Sequence, residues 1–409
     1  MKETPQKWLV ALLGARMHYA VPRILHQAGL LEHLYTDICA IKGWTKILHT
    51  IPQYLQPSSI KRLLGRIPEG IPSERITAFN RFGFDYAQKL RQARSSSETT
   101  QAFLWAGQNF CKLILEQGLV KASGIYTFNT AGLEILQNAR KQGLMTVTEQ
   151  TIAPKAIEYQ LLQEEYQAFP DWESPLEADP FLLELSAREQ KEWSTADIVL
   201  CGSEFVRDGI IACGESSQKC QILPYGVDWR FLLPEHLPHN GQLRVLTIGA
   251  IGLRKGSPYI LAAAQKLKGL ATFRMVGSLG GIQPEIKSIL ASHVELTGSV
   301  PRSEILNHYA WADVFLLPSI CEGSATVIYE ALAAGLPVIC TPNTGSVVRD
   351  GIEGFIVPIR NHKAIADKLE LLAINPDLRR EMSKNAGQKA KEFTLDSYKQ
   401  RLLKILTNI

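Results

Sequence analysis

Long apolar runs are missing from this chain. No stretch approaches the roughly 18 uninterrupted apolar residues that a membrane-spanning helix needs. The segment 1–7 is polar and the apolar run 8–13 stops before Gly14, so no secretory signal is expected. Cysteine is sparse as well. Seven occur in 409 residues, an odd number without any Cys-x-x-Cys pair, which argues against a disulfide framework and against a zinc site. Charge of one sign is equally scarce: 44 lysines and arginines against 40 acids leave +4, too mild to argue for a nucleic-acid partner. The phosphate-loop, dinucleotide, His-Glu-x-x-His and Gly-x-Ser-x-Gly motifs are all absent, which weakens kinase, dehydrogenase, zincin and serine-hydrolase readings alike. A reduced, cytoplasmic, soluble protein is the expectation.

What is present is ordinary globular material, 45% apolar and 21% charged, with length for about two to three domains. Candidate strands fall at 8–13, 124–128, 145–149, 197–201 and 220–223. After a break they resume at 244–249, 274–276, 294–297, 313–317, 338–341 and 355–357. Their continuous apolarity suits parallel strands buried on both faces, and helical patterns lie between most of them. The chain therefore reads as α/β, with two doubly wound domains facing a cleft. The break at 229–242 carries two prolines and an Asn-Gly and reads as a linker. It separates a first domain, 1–228, from a second, 243–392.

Residues 38–122 are less regular. Lys42, Lys46, Lys61, Arg62 and Arg66 lie there with one acid, Glu69, and with Trp44, Ile47, Leu48, Ile51, Tyr54 and Leu55 between them. Two readings stay open: a surface for anionic lipid over 41–66, or a solvated helical insertion. The acidic stretches 163–165 and 171–173 read as solvated faces.

The chemistry concentrates in 316–335. A buried strand ends at Pro318, an irregular turn carries Glu322, and a helix starts near Ser324–Thr326 with Glu330 two turns along. Gly335 and Pro337 close it. Backbone amides at Gly323, Ser324, Ala325 and Thr326 would be open donors at a helix N-terminus. Lys255 and Arg254 follow a strand and a glycine, Gly249, and precede another helix, where they suit a leaving diphosphate, with solvated charge the lesser alternative. Gly14, Ala15 and Arg16 form the first strand-to-helix turn, where glycine and alanine let backbone approach a phosphate. His18 nearby is read as a packed or surface residue.

This constellation resembles family 4 of the retaining glycosyltransferases, which have the two-domain GT-B fold. Glu322 and Glu330 match its Glu-x7-Glu motif, 248–256 resembles its Gly-Arg-Leu…Lys-Gly loop, and Pro-Tyr-Gly-Val-Asp at 224–228 resembles the approach to its linker. The likeness is strong over 190–390 and weak over most of 1–180. It implies that Glu322 contacts the donor sugar, Glu330 the nucleotide ribose, and the amides after Glu322 the sugar and diphosphate. It implies too that a helix over 393–409 returns to the first domain. Two positions depart from the family. Ala250 stands where relatives carry arginine, leaving the charge to Arg254 or Arg16. Gln150, beside Glu149, stands where relatives place a strand-end histidine; Gln150 is read as a sugar contact and Glu149 as orienting the reacting centre or the acceptor, with plain strand-end polarity the alternative for both.

The function so implied is transfer of a sugar from a nucleotide-sugar, UDP-sugar first and GDP-mannose next, to a glycan, glycolipid or small-molecule acceptor. No metal and no permanently bound cofactor is expected. The alternatives are a nucleotide-sugar-binding protein without turnover and another enzyme of the fold, such as a hydrolysing epimerase.

Overall fold

The computed structural model describes residues 6–52, 55–119, 121–174, 178–233 and 241–407. Seven parallel strands form the first sheet: β1 Trp8–Leu12, β2 Leu31–Thr36, β3 Ile76–Ala78, β4 Gly124–Phe128, β5 Met145–Gln150, β6 Ile198–Cys201 and β7 Cys220–Ile222. Their order is β3-β2-β1-β4-β5-β6-β7. Six more parallel strands form the second: β8 Leu243–Ile248, β9 Ala271–Val276, β10 Glu295–Gly298, β11 Val314–Leu317, β12 Val338–Cys340 and β13 Gly354–Ile356, in the order β10-β9-β8-β11-β12-β13. Both are doubly wound, and the order reverses between β1 and β4 in one and between β8 and β11 in the other. Such switch points open crevices at the carboxyl ends of the strands.

Burial explains why these segments pair. Every residue of β1, β4, β6 and β11 is buried, as helices on both faces of a parallel sheet require. The two strands not anticipated from sequence have weaker patterns. In β2, Leu-Glu-His-Leu-Tyr-Thr, polar Glu32 and His33 interrupt the apolar run, and β3 is a three-residue edge strand.

Among the described residues, three of the ties between the domains position the cleft. A helix from the first sheet, Lys155–Ala168, and the turn after it reach across to the second domain, where Leu161 and Phe169 pack against its core. There the buried Glu165 accepts from Tyr259 Oη at 2.9 Å and pairs with Arg360, and Glu173 accepts from the Leu253 amide at 2.6 Å. A second tie is the antiparallel bridge between Ile152 and Gly323. The third is the last helix, Leu395–Thr407, which packs back on the first domain: Tyr398 meets Tyr225, and Arg401 donates to the Pro224 carbonyl at 3.1 Å. Of the 229–242 segment, residues 234–240 lie outside the described residues; Trp229–Phe231 is a 3-10 turn whose Phe231 packs edge-on against Tyr309. No helix among the described residues is long and apolar enough to cross a membrane.

Candidate active site

A cavity of about 1740 Å³ lies between the domains, lined from both. Its second-domain side is built on two strand ends. After β8 the chain turns at Gly249, and Gly256, at φ +71°, starts the helix Ser257–Lys266. A Cβ on Gly256 would stand 2.1 Å from the Pro318 carbonyl oxygen, so this residue has no room for a side chain. That close approach brings Arg254 and Lys255 against the turn after β11. Lys255 Nζ is 2.8 Å and Arg254 Nη1 3.0 Å from the same oxygen of Glu322, and Arg254 also donates to the Cys321 carbonyl at 3.2 Å. Both Lys255 and Glu322 are buried. Burial, with Arg254's charge added, draws the Lys255 ammonium below the ordinary lysine range, against the pull of Glu322.

The helix after Glu322 runs Thr326–Ala333 and ends as its sequence dictates. Gly335 adopts φ +72°, its amide bonds the Leu332 carbonyl, and the Leu336 amide bonds that of Ala331. Gly323, Ser324, Ala325 and Thr326 all line the cavity. Ala325 corrects the expectation of four open amides, because its N–H donates to the Thr344 carbonyl at 3.0 Å. Glu330 is not part of the lining. Its carboxylate accepts from Tyr309 Oη at 3.0 Å and pairs with Arg302 at 3.1 Å, while burial raises its pKa.

The first-domain side is built on β1, β2, β4 and β5. Gly14, at φ +96°, gives its amide to the buried Asp37 Oδ1 at 3.1 Å, and Asp37 also pairs with Arg66 at 2.9 Å. Gly14 and Arg16 line the cavity; Ala15 packs against the apolar core instead. Arg16 bonds Thr151 and lies over the Phe128 ring, 5.9 Å from its centre. The three residues after it, Met17, His18 and Tyr19, all have positive φ, which is strained backbone in non-glycine residues. Glu149 lines the cavity, yet both its oxygens are engaged: by Tyr126 Oη, and by Tyr225 Oη at 3.0 Å. Burial raises its pKa.

Gln150 is a correction. The expected sugar contact is fully buried and absent from the cavity lining. It donates to Glu189 at 2.9 Å and to the Ile152 carbonyl, and accepts from Trp193 Nε1 at 3.0 Å. Strand alternation puts it on the opposite face from Glu149, so it braces the sheet. Sequence reasoning missed Asp37, Asn129, Thr151, Lys155 and Glu189, which all line the cavity. Only Lys155 carried a usable signal, standing just after Pro154 at a helix start. The stretch 163–165 is also corrected, since Glu165 is fully buried. Among the described residues no three His, Cys, Asp or Glu side chains are grouped to hold a metal.

Residues 231–389 match the family model of glycosyl transferases group 1. The match covers the second domain. Among curated relatives, the amylovoran biosynthesis glycosyltransferase AmsK of Erwinia amylovora is 26% identical over 187 residues, 42% of this chain and 46% of that one. The aligned part is 46–59% of the length of the first relatives matched. Solved structures align end to end. Sucrose-phosphate synthase of Thermosynechococcus elongatus superposes with TM-score 0.66 at 18% identity, over 98% of each chain. Anabaena Alr3699/HepE, in complex with UDP and glucose, gives 0.61 at 15% identity over 99% of this chain and 100% of that one. The fold is the two-domain GT-B arrangement.

Proposed function

We propose that this protein is a retaining glycosyltransferase that takes a sugar from a nucleotide-sugar held at the second domain. The observation that carries the reading is the cluster of buried Lys255 and Glu322 with half-buried Arg254 at the domain junction, beside the amides of a helix start. The matched family model covers the same domain, and the UDP-bound neighbour makes UDP-sugar the first donor to try; the sequence resemblance puts GDP-mannose next.

In the proposed reaction an acceptor hydroxyl attacks the anomeric carbon on the face from which the diphosphate departs. The bond from that carbon to the phosphate oxygen breaks as the new glycosidic bond forms, and the hydroxyl's proton passes to the departing phosphate oxygen. Lys255, Arg254 and the Thr326-end amides neutralise the charge that develops there, so no metal is required. Donor binding would turn the Lys255 and Arg254 cations from Glu322 toward the diphosphate and free Glu322 to bond the sugar hydroxyls. Glu330 would share its carboxylate between Arg302 and the ribose. Glu149, held by two tyrosines, offers fixed negative potential near the reacting centre. The acceptor is a glycan or glycolipid. Peripheral contact with an anionic membrane would fall to Lys42, Lys46 and Lys61, because Arg62 and Arg66 line the cavity.

Release of nucleoside diphosphate from a panel of UDP-, GDP- and ADP-sugars, with and without EDTA, tests this. Slow release from one donor, unaffected by EDTA, is expected. Lys255→Ala and Glu322→Ala should each lose about 10²–10³ in turnover, the scale of removing one preorganised donor group. In the free enzyme the ammonium form of Lys255 is required and its pKa is lowered, so kcat/KM should also decline at alkaline pH before an ordinary lysine deprotonates. Binding without release even with acceptor mixtures would make the chain a binding protein. No binding to any donor would overturn the reading of the cleft.

A further inference from the structure

One support of the donor side comes from the other domain. The loop between β8 and the helix Ser257–Lys266 carries Arg254 and Lys255, and several of its amides are held from within the second domain. The Ile251 amide bonds the Ser278 carbonyl, the Gly252 amide bonds Ser257 Oγ and the Gly256 amide bonds the Leu253 carbonyl, each at 2.9 Å. The fully buried Leu253 is different. Its N–H opens the turn Leu253–Lys255 and donates to Glu173 Oε1, which belongs to the first domain and lies outside the matched 231–389 region.

Glu173 is itself fixed. Its other oxygen accepts from Tyr166 Oη at 2.8 Å, and its backbone forms an antiparallel bridge with Ile282. Next to it the Gln283 amide donates to the carbonyl of buried Trp172 at 2.9 Å. The loop leaves space for the carboxylate, since a Cβ on Gly252 would stand 2.1 Å from Glu173 Oε1. Of the two acids in 171–173, only Asp171 is the solvated residue that the sequence suggested; Glu173 is half-buried. Glu173 is not in the cavity lining, so it acts on the site only through the loop.

A buried N–H without an acceptor is costly, so the loop keeps this path while the first domain supplies one. Arg254 and Lys255 follow Leu253 directly, and their reach to Glu322 depends on that path. We infer that Glu173 is a positioning residue: from the first domain it sets the 250–256 loop of the second, and through it the two cations that meet the departing diphosphate. Charge stabilisation is then complete only while the domains are engaged. The role in reaction rests on the transferase reading above; the ordering of the loop does not.

Hydrogen exchange of the 250–256 backbone amides and steady-state kinetics of nucleoside diphosphate release, on the full chain, test this together. In Glu173→Ala the loop should exchange at least ten-fold faster while β8 and β11 keep wild-type protection, which also shows that the variant folds. Gly252→Ala, which puts a methyl where the carboxylate oxygen lies, should do the same from the other side. In both, kcat should drop on the order of 10–10²-fold, the scale of misplacing a reacting constellation, with donor KM moving less than about three-fold. Glu173→Gln keeps an oxygen for the Leu253 amide and should restore most of both losses. Unchanged loop exchange in Glu173→Ala would overturn the inference. So would faster exchange with kcat intact, a loss confined to KM, or a Gln variant as impaired as the Ala variant. If wild type turns over no donor, the transferase reading and the role in reaction fall together, and the exchange measurement alone still decides whether Glu173 orders the loop.

Discussion

The two sides of the cleft are made of the same residue types and held in opposite ways. On the second-domain side the charges are paired and mostly buried: buried Lys255 and half-buried Arg254 converge on one oxygen of the buried Glu322, after strands β8 and β11. Across the cleft, in the 41–103 region, Arg62 and Arg91 stand exposed on helices beside exposed Trp44 and Phe84. Burying charge is costly unless each charge has a partner, so in the first arrangement the residues depend on one another until a charged ligand takes a partner's place. The second leaves cations and rings hydrated and waiting. A paired end suits a ligand whose charge must be met at fixed points during reaction; an open, amphipathic end suits binding alone.

The comparison breaks first at the seam where the paired side meets the other domain. A Cβ on Gly323 would lie 2.1 Å from the Thr151 carbonyl oxygen and 2.8 Å from Ile152 Cα. Both neighbours are backbone and cannot swing aside. Gly323→Ala should therefore cost about 3 kcal/mol or open the cleft, the upper part of the overpacking range. Denaturant unfolding and small-angle scattering read the two outcomes. A variant as stable and compact as wild type would mean that the seam is soft and the contrast between the sides overstated.

The same contrast decides what the sequence could reveal. Both sheets were legible because β1, β4, β6 and β11 are buried throughout and therefore read as unbroken apolar runs. β2 escaped because Glu32 and His33 break its pattern, and Asp37 at its end escaped with it. Lys255, Arg254 and Glu322 were legible because each stands beside a strand end and a glycine within a few residues. Gln150 failed for a different reason. Position along β5 put it at the strand end, but the face it points to depends on register, and a one-residue shift separates the cavity from the core. The open side of the cleft joins Arg62, Arg91, Trp44 and Phe84 from separate helices and turns, so no local pattern announces it.

An intermediate effect comes from the brace behind the site. Burial pushes the Glu189 pKa up to about 7, although the Lys155 amide and Gln150 donate to its carboxylate. Its folded pKa thus lies above its unfolded one, so between pH 4.5 and about 7 the native state binds the extra proton and stability falls as pH rises. Glu189→Gln cannot titrate. Its deficit relative to wild type should therefore shrink by on the order of 1–3 kcal/mol between pH 5 and pH 8. Taking the difference between the two proteins cancels the titrating groups that do not interact with Glu189; Glu192, whose charge acts on Glu189 and whose own pKa is raised to about 7, contributes to the difference in the same window. A constant difference across that range would mean that Glu189 is charged throughout at little cost and the brace is wetter than its burial implies.

The smallest effect bears on the open side. Trp44 and Phe84 are large apolar residues left 44% and 53% exposed, and their rings meet edge to face. If they contributed to the core, replacing either would cost several kcal/mol, as aromatic truncations in cores do, about 3–5 kcal/mol. Their exposure argues for the opposite. Trp44→Ser and Phe84→Ser should each move unfolding stability by no more than about 0.5 kcal/mol, the scale of surface substitutions. Chemical denaturation of each single variant decides it. A loss above 2 kcal/mol would show that this wall of the cleft is structural, that its two sides are equally well held, and that the open side is held by the same packing as the core.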